Sequence, residues 1–232
     1  ANTLVFGGGG FGKTTLALDA CHTPEIVKSF PDGMIWVTLG ERPDLGKTLS
    51  DLYLAIAGEP PTATGVAAIA EAVAKRLEKH RCLVVVDDLW RSDDLVPFLA
   101  LNGPRLLVTS RIRNLLDQFA PSDWAEIPVD EMDAGEATML LGRGLALDIA
   151  SRDLIARLGE NLGYWPLLLQ LANARLLEEH KRGRSVAESI ERVSAVYGRK
   201  GVFGFDRRDS TARNTAVARS VEVGLTFADE LA

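Results

Sequence analysis

Cysteine is scarce in this chain of 232 residues: only Cys21 and Cys82 occur, each in a mainly apolar stretch. We therefore interpret both as reduced cysteines that pack among apolar residues, and not as parts of a disulfide framework. The three histidines are isolated near predicted helix ends and do not have the spacing of metal ligands. We therefore expect neither a disulfide scaffold nor a histidine-based metal site.

Long apolar runs are also missing. No run approaches the roughly 20 residues that a membrane helix needs, and the first residues lack the basic and apolar regions of a signal peptide. These absences predict a cytoplasmic location without a membrane partner. Residues 1–6 enter a predicted strand almost at once, which favours a chain that begins inside a longer natural polypeptide.

Positive charge is not in excess. The chain has 26 Lys and Arg against 32 Asp and Glu, a formal net charge of −6. This balance disfavours broad attraction to nucleic acid or anionic membranes, although it leaves a local basic patch open. With 47% hydrophobic and 25% charged residues, the composition is typical of a globular protein. The length suits one large domain with a smaller appendage.

What the chain does contain is an alternation of strand and helix patterns in its first half. The run from Cys82 to Val86 is continuously apolar, as is typical of a parallel strand covered by helices on both faces. The alternation predicts an α/β fold with a parallel sheet. The predicted strands are 3–6, 34–39, 82–86, 105–109 and 125–129, and the predicted helices between them are 13–21, 44–57 and 66–79.

After about residue 131 the strand patterns stop, and the sequence predicts a small helical bundle. Residues 199–210 are rich in glycine and charge and predict a loop, after which residues 211–224 could start another helix. The predicted helices of the bundle are 134–147, 152–161, 166–180 and 186–196.

A glycine-rich loop follows the first strand. Residues 7–14 satisfy the pattern G-x-x-x-x-G-K-[ST] between an apolar strand and a helix, which is the context that this phosphate-binding motif requires. Its glycines let the backbone N–H groups point at phosphate oxygens, and the helix N-terminus adds positive potential. A merely flexible turn is the weaker alternative. The predicted nucleotide contacts are Gly7, Gly8, Gly9, Gly10, Phe11, Gly12, Lys13, Thr14 and Thr15.

Within this loop, Lys13 is expected to reach the β- and γ-phosphates, Thr14 to offer its hydroxyl to Mg²⁺, and Thr15 to contact a phosphate. A second Gly-Lys-Thr sequence, at residues 46–48, lacks the required glycine because position 41 is Glu, and no strand directly precedes it. We interpret residues 46–48 as an exposed helix segment.

Two acids end the apolar run of the third strand. Asp87 and Asp88 follow residues 83–86, which is the pattern of a Walker B strand whose end brings carboxylates to the Mg²⁺ edge of a phosphate site. One acid can hold the metal, and the second can polarise an attacking water. The alternative is a pair of acids that caps a strand-to-helix turn.

A third polar group, Thr109-Ser110-Arg111, follows the fourth strand, at the edge where open α/β sheets bind ligands. Arg111 could contact the γ-phosphate or could be an ordinary exposed loop arginine, and the spacing alone does not decide between them. Residues 163–167 lie between two predicted helices, with Pro166 well placed as the first residue of the second. There Trp165 and the leucines are expected to be core residues.

Taken together, residues 7–15, 83–90, 109–111 and 163–167 resemble the NB-ARC family of signal-transduction ATPases with numerous domains, in order and in spacing. That family includes apoptotic protease-activating factors, plant disease-resistance proteins and bacterial multidomain regulators, and the chain resembles the bacterial regulators. The resemblance covers nearly the whole chain.

The resemblance implies a P-loop NTPase fold, with a five-stranded parallel sheet flanked by helices, a small helical subdomain and the start of a winged helix. It implies a nucleotide-binding domain over residues 1–130, a helical subdomain over 131–198, and a linker with the start of the winged helix over 199–232. The cofactors that it implies are ATP or ADP and Mg²⁺.

Residue by residue, the resemblance places Lys13 and its loop on the phosphates, and Thr14 and Asp87 on Mg²⁺. It makes Asp88 the candidate base and Arg111 the phosphate sensor. It also implies that Pro166 packs against the adenine ring with Leu167 nearby.

The function that the resemblance favours is a regulatory switch. In such a switch ADP holds neighbouring subdomains closed, ATP with Mg²⁺ favours a state that oligomerises and activates an effector, and weak ATP hydrolysis resets it. We expect sensor and effector domains outside this chain, self-association through the full-length protein, and no direct contact with nucleic acid.

The main alternative is a dedicated multiple-turnover ATPase, such as a ring motor or loader. It would need an arginine finger from a neighbouring subunit, for which Arg207, Arg208 and Arg213 are candidates, although a solvated basic face explains them as well. A GTPase is disfavoured because the chain lacks an Asn-Lys-x-Asp segment. DNA binding by the start of a winged helix is weaker still.

Overall fold

The computed structural model describes residues 1–119, residues 124–202 and Thr215. The chain divides into two compact units, Ala1–Val129 and Asp130–Ala232. The three candidate finger arginines lie outside the described residues. So does the expected start of a winged helix, except for Thr215.

The first unit is built on a five-stranded sheet. Its strands are β1 Asn2–Phe6, β2 Met34–Gly40, β3 Leu83–Leu89, β4 Arg105–Ser110 and β5 Trp124–Pro128. They lie in the order β2-β3-β4-β1-β5, and every neighbouring pair is parallel. The predicted α/β class and all five predicted strands are confirmed. Because the strands are parallel, their carboxyl ends meet at one edge of the sheet.

Helices connect these strands. The helices are α1 Lys13–His22, α2 Pro24–Ser29, α3 Leu45–Ala57, α4 Val66–Leu77 and α5 Val96–Leu99. Two helical segments were not predicted: the short helix α2, and a 3₁₀ turn at Ser92–Leu95 that continues into α5. Residues 46–48 lie in α3 as predicted, and Lys47 pairs with Asp51 at the surface, 3.4 Å apart.

β3 is covered on both faces of the sheet, which explains its continuous apolar run. Val84 and Val86 belong to the main core, and Leu83 and Val85 belong to a smaller cluster. Successive side chains of a strand point to opposite faces, so each cluster takes every second residue. Cys82 belongs to the main core, and burial raises the pKa of its thiol. Both cysteines are free, so the expectation of unpaired packing cysteines is confirmed.

The second unit is helical: residues 130–202 contain no strand. Three of the helices described in this unit begin with a side-chain cap, from Asp133, Asp148 or Ser185. Asp133 and Ser185 each form a capping box with the glutamate three residues later. Within the described parts of the chain, no helix is long and apolar enough to cross a membrane. The helices of this unit are α6 Ala134–Gly142, α7 Ile149–Asn161, α8 Pro166–Lys181 and α9 Val186–Arg199.

The predicted extent of α6 was wrong, since the helix ends at Gly142 and not at residue 147. Arg143 leaves the helical conformation with ψ 123°, and Gly144 follows with a left-handed φ of 81°. The side chain of Asn173 donates hydrogen bonds to the carbonyl oxygens of Leu141 and Arg143, at 2.8 and 2.9 Å. An amide from α8 thus satisfies carbonyls that a longer α6 would have paired internally.

A buried carboxylate joins α8 to α9. The side chain of Glu179 is 0% exposed, and each of its oxygens faces two guanidinium groups. Oε1 accepts from Arg175 at 2.9 Å and from Arg182 at 2.8 Å, whereas Oε2 faces Arg184 at 2.7 Å and Arg192 at 3.1 Å. Burial lowers the pKa of Arg175, and the neighbouring glutamates oppose that shift. One glutamate therefore ties together α8, the following turn and α9.

Candidate functional site

The glycine-rich loop follows an interior strand of the sheet, because β1 lies between β4 and β5. Backbone hydrogen bonds hold the junction between β1 and the loop on both sides. The N–H of Gly7 donates to the carbonyl of Ser110 at 3.2 Å, and the N–H of Val129 donates to the carbonyl of Phe6 at 2.8 Å. A Cβ on Gly7 would lie 2.1 Å from the carbonyl oxygen of Val129, so only glycine fits at this position.

The loop passes directly into α1. Gly12 caps this helix in a left-handed conformation, φ 91°, and its carbonyl accepts the first helical bond from Leu16 at 2.8 Å. Lys13 starts the helix with only 8% exposure, and its Nζ donates to the carbonyl of Gly8 at 2.8 Å. The ammonium group therefore lies back over the loop that precedes the helix N-terminus. Phe11 is buried, which anchors the middle of the loop.

Asp87 connects three elements at the carboxyl edge of the sheet. Its Oδ1 accepts from the hydroxyl of Thr14 at 2.9 Å and from the hydroxyl of Thr109 at 2.6 Å. The carboxylate is buried, so these bonds offset its desolvation. β3, β4 and α1 thus meet at one acidic side chain.

The same residues fit a magnesium ion. Hydroxyl and carboxylate oxygens are hard ligands, and Mg²⁺ in nucleotide sites usually takes one or two of them, with phosphates and waters completing its shell. No group of three His, Cys, Asp or Glu residues suited to a metal occurs in the described portion. Thr14 and Asp87 supply two such oxygens, which suits an ion that arrives with a phosphate.

Asp88 differs from its neighbour in both backbone and surroundings. Its φ of 55° is left-handed, and the register of β3 against β4 shifts between Val86 and Leu89. Such a bulge re-aims a side chain, and aspartate tolerates this conformation better than most residues. The N–H of Asp88 donates to the Thr109 hydroxyl at 3.0 Å. Its side chain stays 33% exposed. The two adjacent acids are therefore separated, one buried and one accessible.

Arg111 lies between Asp88 and the glycine-rich loop. Its Nε is 3.6 Å from Asp88 Oδ1, and its Nη1 is 3.3 Å from the Cβ position of Gly9. The guanidinium also lies over the ring of Trp90, 4.6 Å from its centroid. Of the two interpretations that the sequence left open, the geometry favours an arginine that faces the loop.

The structure thus brings the loop residues 7–15, Asp87, Asp88 and Arg111 together in the first unit. Sequence reasoning did not assign specific roles to Thr109, which bonds both acids, or to Trp90. A buried hydroxyl after an apolar strand, and an aromatic residue two positions after the second acid, were the available signals.

Pro166 and Leu167 are the first residues of α8, in the second unit. The turn before them carries two left-handed residues, Gly163 at φ 64° and Tyr164 at φ 54°. Trp165 is buried, as predicted for a core residue. The implied contact of Pro166 and Leu167 with adenine stays a prediction.

Two curated relatives match most of the chain. A protein of Arabidopsis thaliana that is named for disease resistance is 27% identical over 205 residues, which cover 84% of this chain and 23% of that protein. The regulatory protein AfsR of Streptomyces griseus is 31% identical over 187 residues, which cover 76% of this chain and 18% of that protein. The chain therefore spans less than a quarter of the length of these relatives.

Solved structures share the fold at low sequence identity. A signal transduction ATPase with numerous domains and a tetratricopeptide repeat sensor, from Pyrococcus horikoshii, has a TM-score of 0.52 at 19% identity and covers 74% of this chain and 27% of that chain. ORC1 of Aeropyrum pernix, solved in complex with DNA, has a TM-score of 0.54 at 19% identity, covering 86% and 61%. Cdc6p of Pyrobaculum aerophilum has a TM-score of 0.58 at 15% identity, covering 84% and 60%.

The family follows from the sequence match, because residues 3–141 fit the family model of the NB-ARC domain. This range contains the glycine-rich loop, both acids and Arg111, in the order expected from the resemblance. It also contains strands β2 to β5 and all of β1 except Asn2. The chain belongs to the NB-ARC family of P-loop ATPases.

Proposed function

We propose that this chain is the nucleotide-binding core of a regulatory switch that binds ATP or ADP with Mg²⁺ and hydrolyses ATP slowly. The observation that carries the proposal is the bond between Thr14 and Asp87, 2.9 Å long, directly beside the glycine-rich loop. It joins the first helical turn after the loop to the acidic end of β3, which is the pair of ligands that a Mg–nucleotide complex needs.

In this proposal the loop backbone and Lys13 bind the β- and γ-phosphates, and Thr14 and Asp87 hold the metal. When bound, Mg²⁺ would neutralise charge on the phosphate oxygens. Asp88 orients the attacking water and accepts its proton. Since Oδ1 of Asp88 faces Arg111, we assign that proton to Oδ2. Arg111 contacts the γ-phosphate and so responds to its presence.

The proposal extends to the rest of the chain. Residues 1–130 act as the nucleotide-binding domain, residues 131–198 as the helical subdomain, and residues 199–232 as a linker with the start of a winged helix. Pro166 and Leu167 pack against adenine. The protein acts in the cytoplasm and self-associates on activation, with sensor and effector domains outside this chain. We propose no direct contact with nucleic acid, because the net charge is −6 and the likeness to the DNA-bound ORC1 concerns the fold alone.

The rate of steady-state ATP hydrolysis separates a switch from a motor. We expect fewer than about 10⁻² turnovers per second, the range of switch NTPases that lack an arginine finger from a partner. The measurement is phosphate release by the purified protein with saturating Mg–ATP, over a range of protein concentrations. Turnover near 1 s⁻¹ or faster would contradict the switch and favour the dedicated ATPase.

Asp88→Asn should separate binding from hydrolysis. Asparagine keeps the size of the side chain and tolerates the left-handed backbone, but it cannot accept the proton of the attacking water. We expect ATP and ADP affinities within about threefold of wild type and single-turnover hydrolysis about a hundredfold slower, the lower end of the contribution of a general base. Calorimetry and single-turnover assays measure the two quantities.

The matched control is Asp93→Asn, since Asp93 is an exposed acid in the same unit, on the 3₁₀ turn after β3. It should leave both binding and hydrolysis unchanged. Equal hydrolysis rates in Asp88→Asn and Asp93→Asn would remove Asp88 from the role of base.

A further inference from the structure

The position of Arg111 needs an explanation, because its side chain is 47% exposed and belongs to a loop. A half-exposed arginine has many rotamers, and holding one of them costs entropy. Yet the guanidinium lies close to the loop, with Nη1 3.3 Å from the Cβ position of Gly9. Two side chains outside the loop, those of Asp88 and Trp90, also contact the guanidinium.

The ion pair between Asp88 and Arg111 holds the guanidinium only weakly. Their closest approach is 3.6 Å, between Nε and Oδ1, and both side chains are partly in water. Exposed ion pairs with this geometry contribute little. A phosphate, by contrast, forms short charge-assisted and often bidentate bonds with arginine. The carboxylate of Asp88 is therefore a partner that a terminal phosphate can replace.

Trp90 contacts the same guanidinium without competing for its charge. The ring centroid of Trp90 is 4.6 Å from the guanidinium carbon, well within the range of a cation–π contact. Tryptophan offers the most favourable ring for such a contact. The indole carries no net charge and offers its ring face to the guanidinium, so it does not compete with an anion for the guanidinium N–H groups.

The backbones of Trp90 and Arg111 leave the sheet side by side. Leu89 and Ser110, the residues directly before them, are register partners at the ends of β3 and β4. The hydroxyl of Ser110 donates to the carbonyl of Leu89 at 2.7 Å and accepts from the N–H of Ile112 at 3.0 Å. Because Leu89 and Ser110 are fully buried, this connection fixes where both following residues start.

We propose that Trp90 is a positioning residue whose indole face holds the guanidinium of Arg111 beside the glycine-rich loop, so that the site prefers a nucleoside triphosphate over a diphosphate. This proposal rests on the proposed function, since it assigns Arg111 to the terminal phosphate. On binding of a triphosphate, Arg111 exchanges Asp88 for the phosphate and remains on the indole.

The test compares affinities for ADP and for the non-hydrolysable β,γ-imido analogue of ATP, each with Mg²⁺, by calorimetry. Trp90→Leu should weaken binding of the analogue about fivefold and change ADP binding less than about twofold, because ADP lacks the phosphate that Arg111 meets. Trp90→Phe keeps an aromatic face and should retain most of the preference. In an Arg111→Ala background, Trp90→Leu should have no further effect.

The control is Trp36→Leu, a change of another partly exposed tryptophan in the same unit, on β2. It should leave both affinities unchanged. The positioning role would be overturned if Trp90→Leu left the ratio of analogue to ADP affinity unaltered, whether or not both affinities fell. It would also be overturned if Trp90→Leu caused its full loss of analogue affinity in the Arg111→Ala background.

A spectroscopic measurement covers the case in which Trp90→Leu does not fold. The emission of Trp90, taken as the difference between wild type and Trp90→Phe, should change when Arg111 is replaced by alanine, because the guanidinium leaves the ring. Identical difference spectra would overturn the proposal. If the wild-type protein binds neither nucleotide, the proposed function fails and this inference fails with it. If the wild-type protein binds ADP through Lys13 and Trp90→Leu leaves the ratio of analogue to ADP affinity unaltered, the inference alone fails.

Discussion

Lys13→Ala should weaken the binding of both ATP and ADP by about two to four orders of magnitude. The ammonium of Lys13 lies over the loop, where Nζ donates to the carbonyl of Gly8 at 2.8 Å. When phosphates bind, it exchanges that neutral acceptor for charged ones. Two hydrogen bonds to charged groups contribute about 3–6 kcal/mol, and each 1.4 kcal/mol changes a dissociation constant tenfold.

The chain provides a matched control in Lys47→Ala. Lys47 follows a glycine and precedes a threonine, as Lys13 does, but it lies exposed in α3 and pairs with Asp51. Calorimetry should give wild-type affinities for Lys47→Ala, and circular dichroism should show both variants folded. A folded Lys13→Ala protein with unchanged ATP affinity would contradict the assignment of the loop to phosphate.

Glu179→Gln should destabilise the helical unit by about 3 kcal/mol. Removing one partner of a buried ion pair typically costs about 3–5 kcal/mol, because the remaining charge stays buried without compensation. Here four guanidinium groups would face each other around an amide. We expect the lower end of the range, since Arg182, Arg184 and Arg192 keep 28%, 35% and 37% of their side chains exposed.

Glu178→Gln is the control for this change. Glu178 is the preceding residue on α8, its side chain is 57% exposed, and it forms an ion pair with Arg175. Urea unfolding, followed by circular dichroism and by tryptophan emission, gives the free energy of unfolding for each variant. We expect Glu178→Gln to remain within about 1 kcal/mol of wild type. Equal stabilities of the two variants would show that Glu179 is not the centre of the cluster.

The sheet was predictable because its determinants are local. Short apolar segments alternate with helical patterns, and the motif at residues 7–14 requires a strand before it and a helix after it. The parallel order then brings the loop, Asp87, Asp88 and Arg111 to one edge. Their presence at one edge therefore follows from the sequence and from the rule that parallel strands end together.

What the sequence did not predict depends on residues that are distant along the chain. The end of α6 depends on Asn173, which lies 32 residues after Leu141 and donates a hydrogen bond to its carbonyl oxygen. The charged run around Glu179 is typical of a solvated helix face, but Arg192 of the next helix helps to enclose it. The separation of Asp87 from Asp88 depends on a bulge in β3, which no residue type specifies by itself.

The contact between Gly7 and Val129 has a consequence for how this sequence can evolve. Conservation of the first glycine of a phosphate loop is usually credited to the ligand. At this position the constraint comes from a carbonyl oxygen 2.1 Å from where a Cβ would stand, and it holds with or without a ligand. A descendant that had lost nucleotide binding would be free to replace Lys13 and Thr14, but it would still need glycine at position 7 to keep the end of β5 in place.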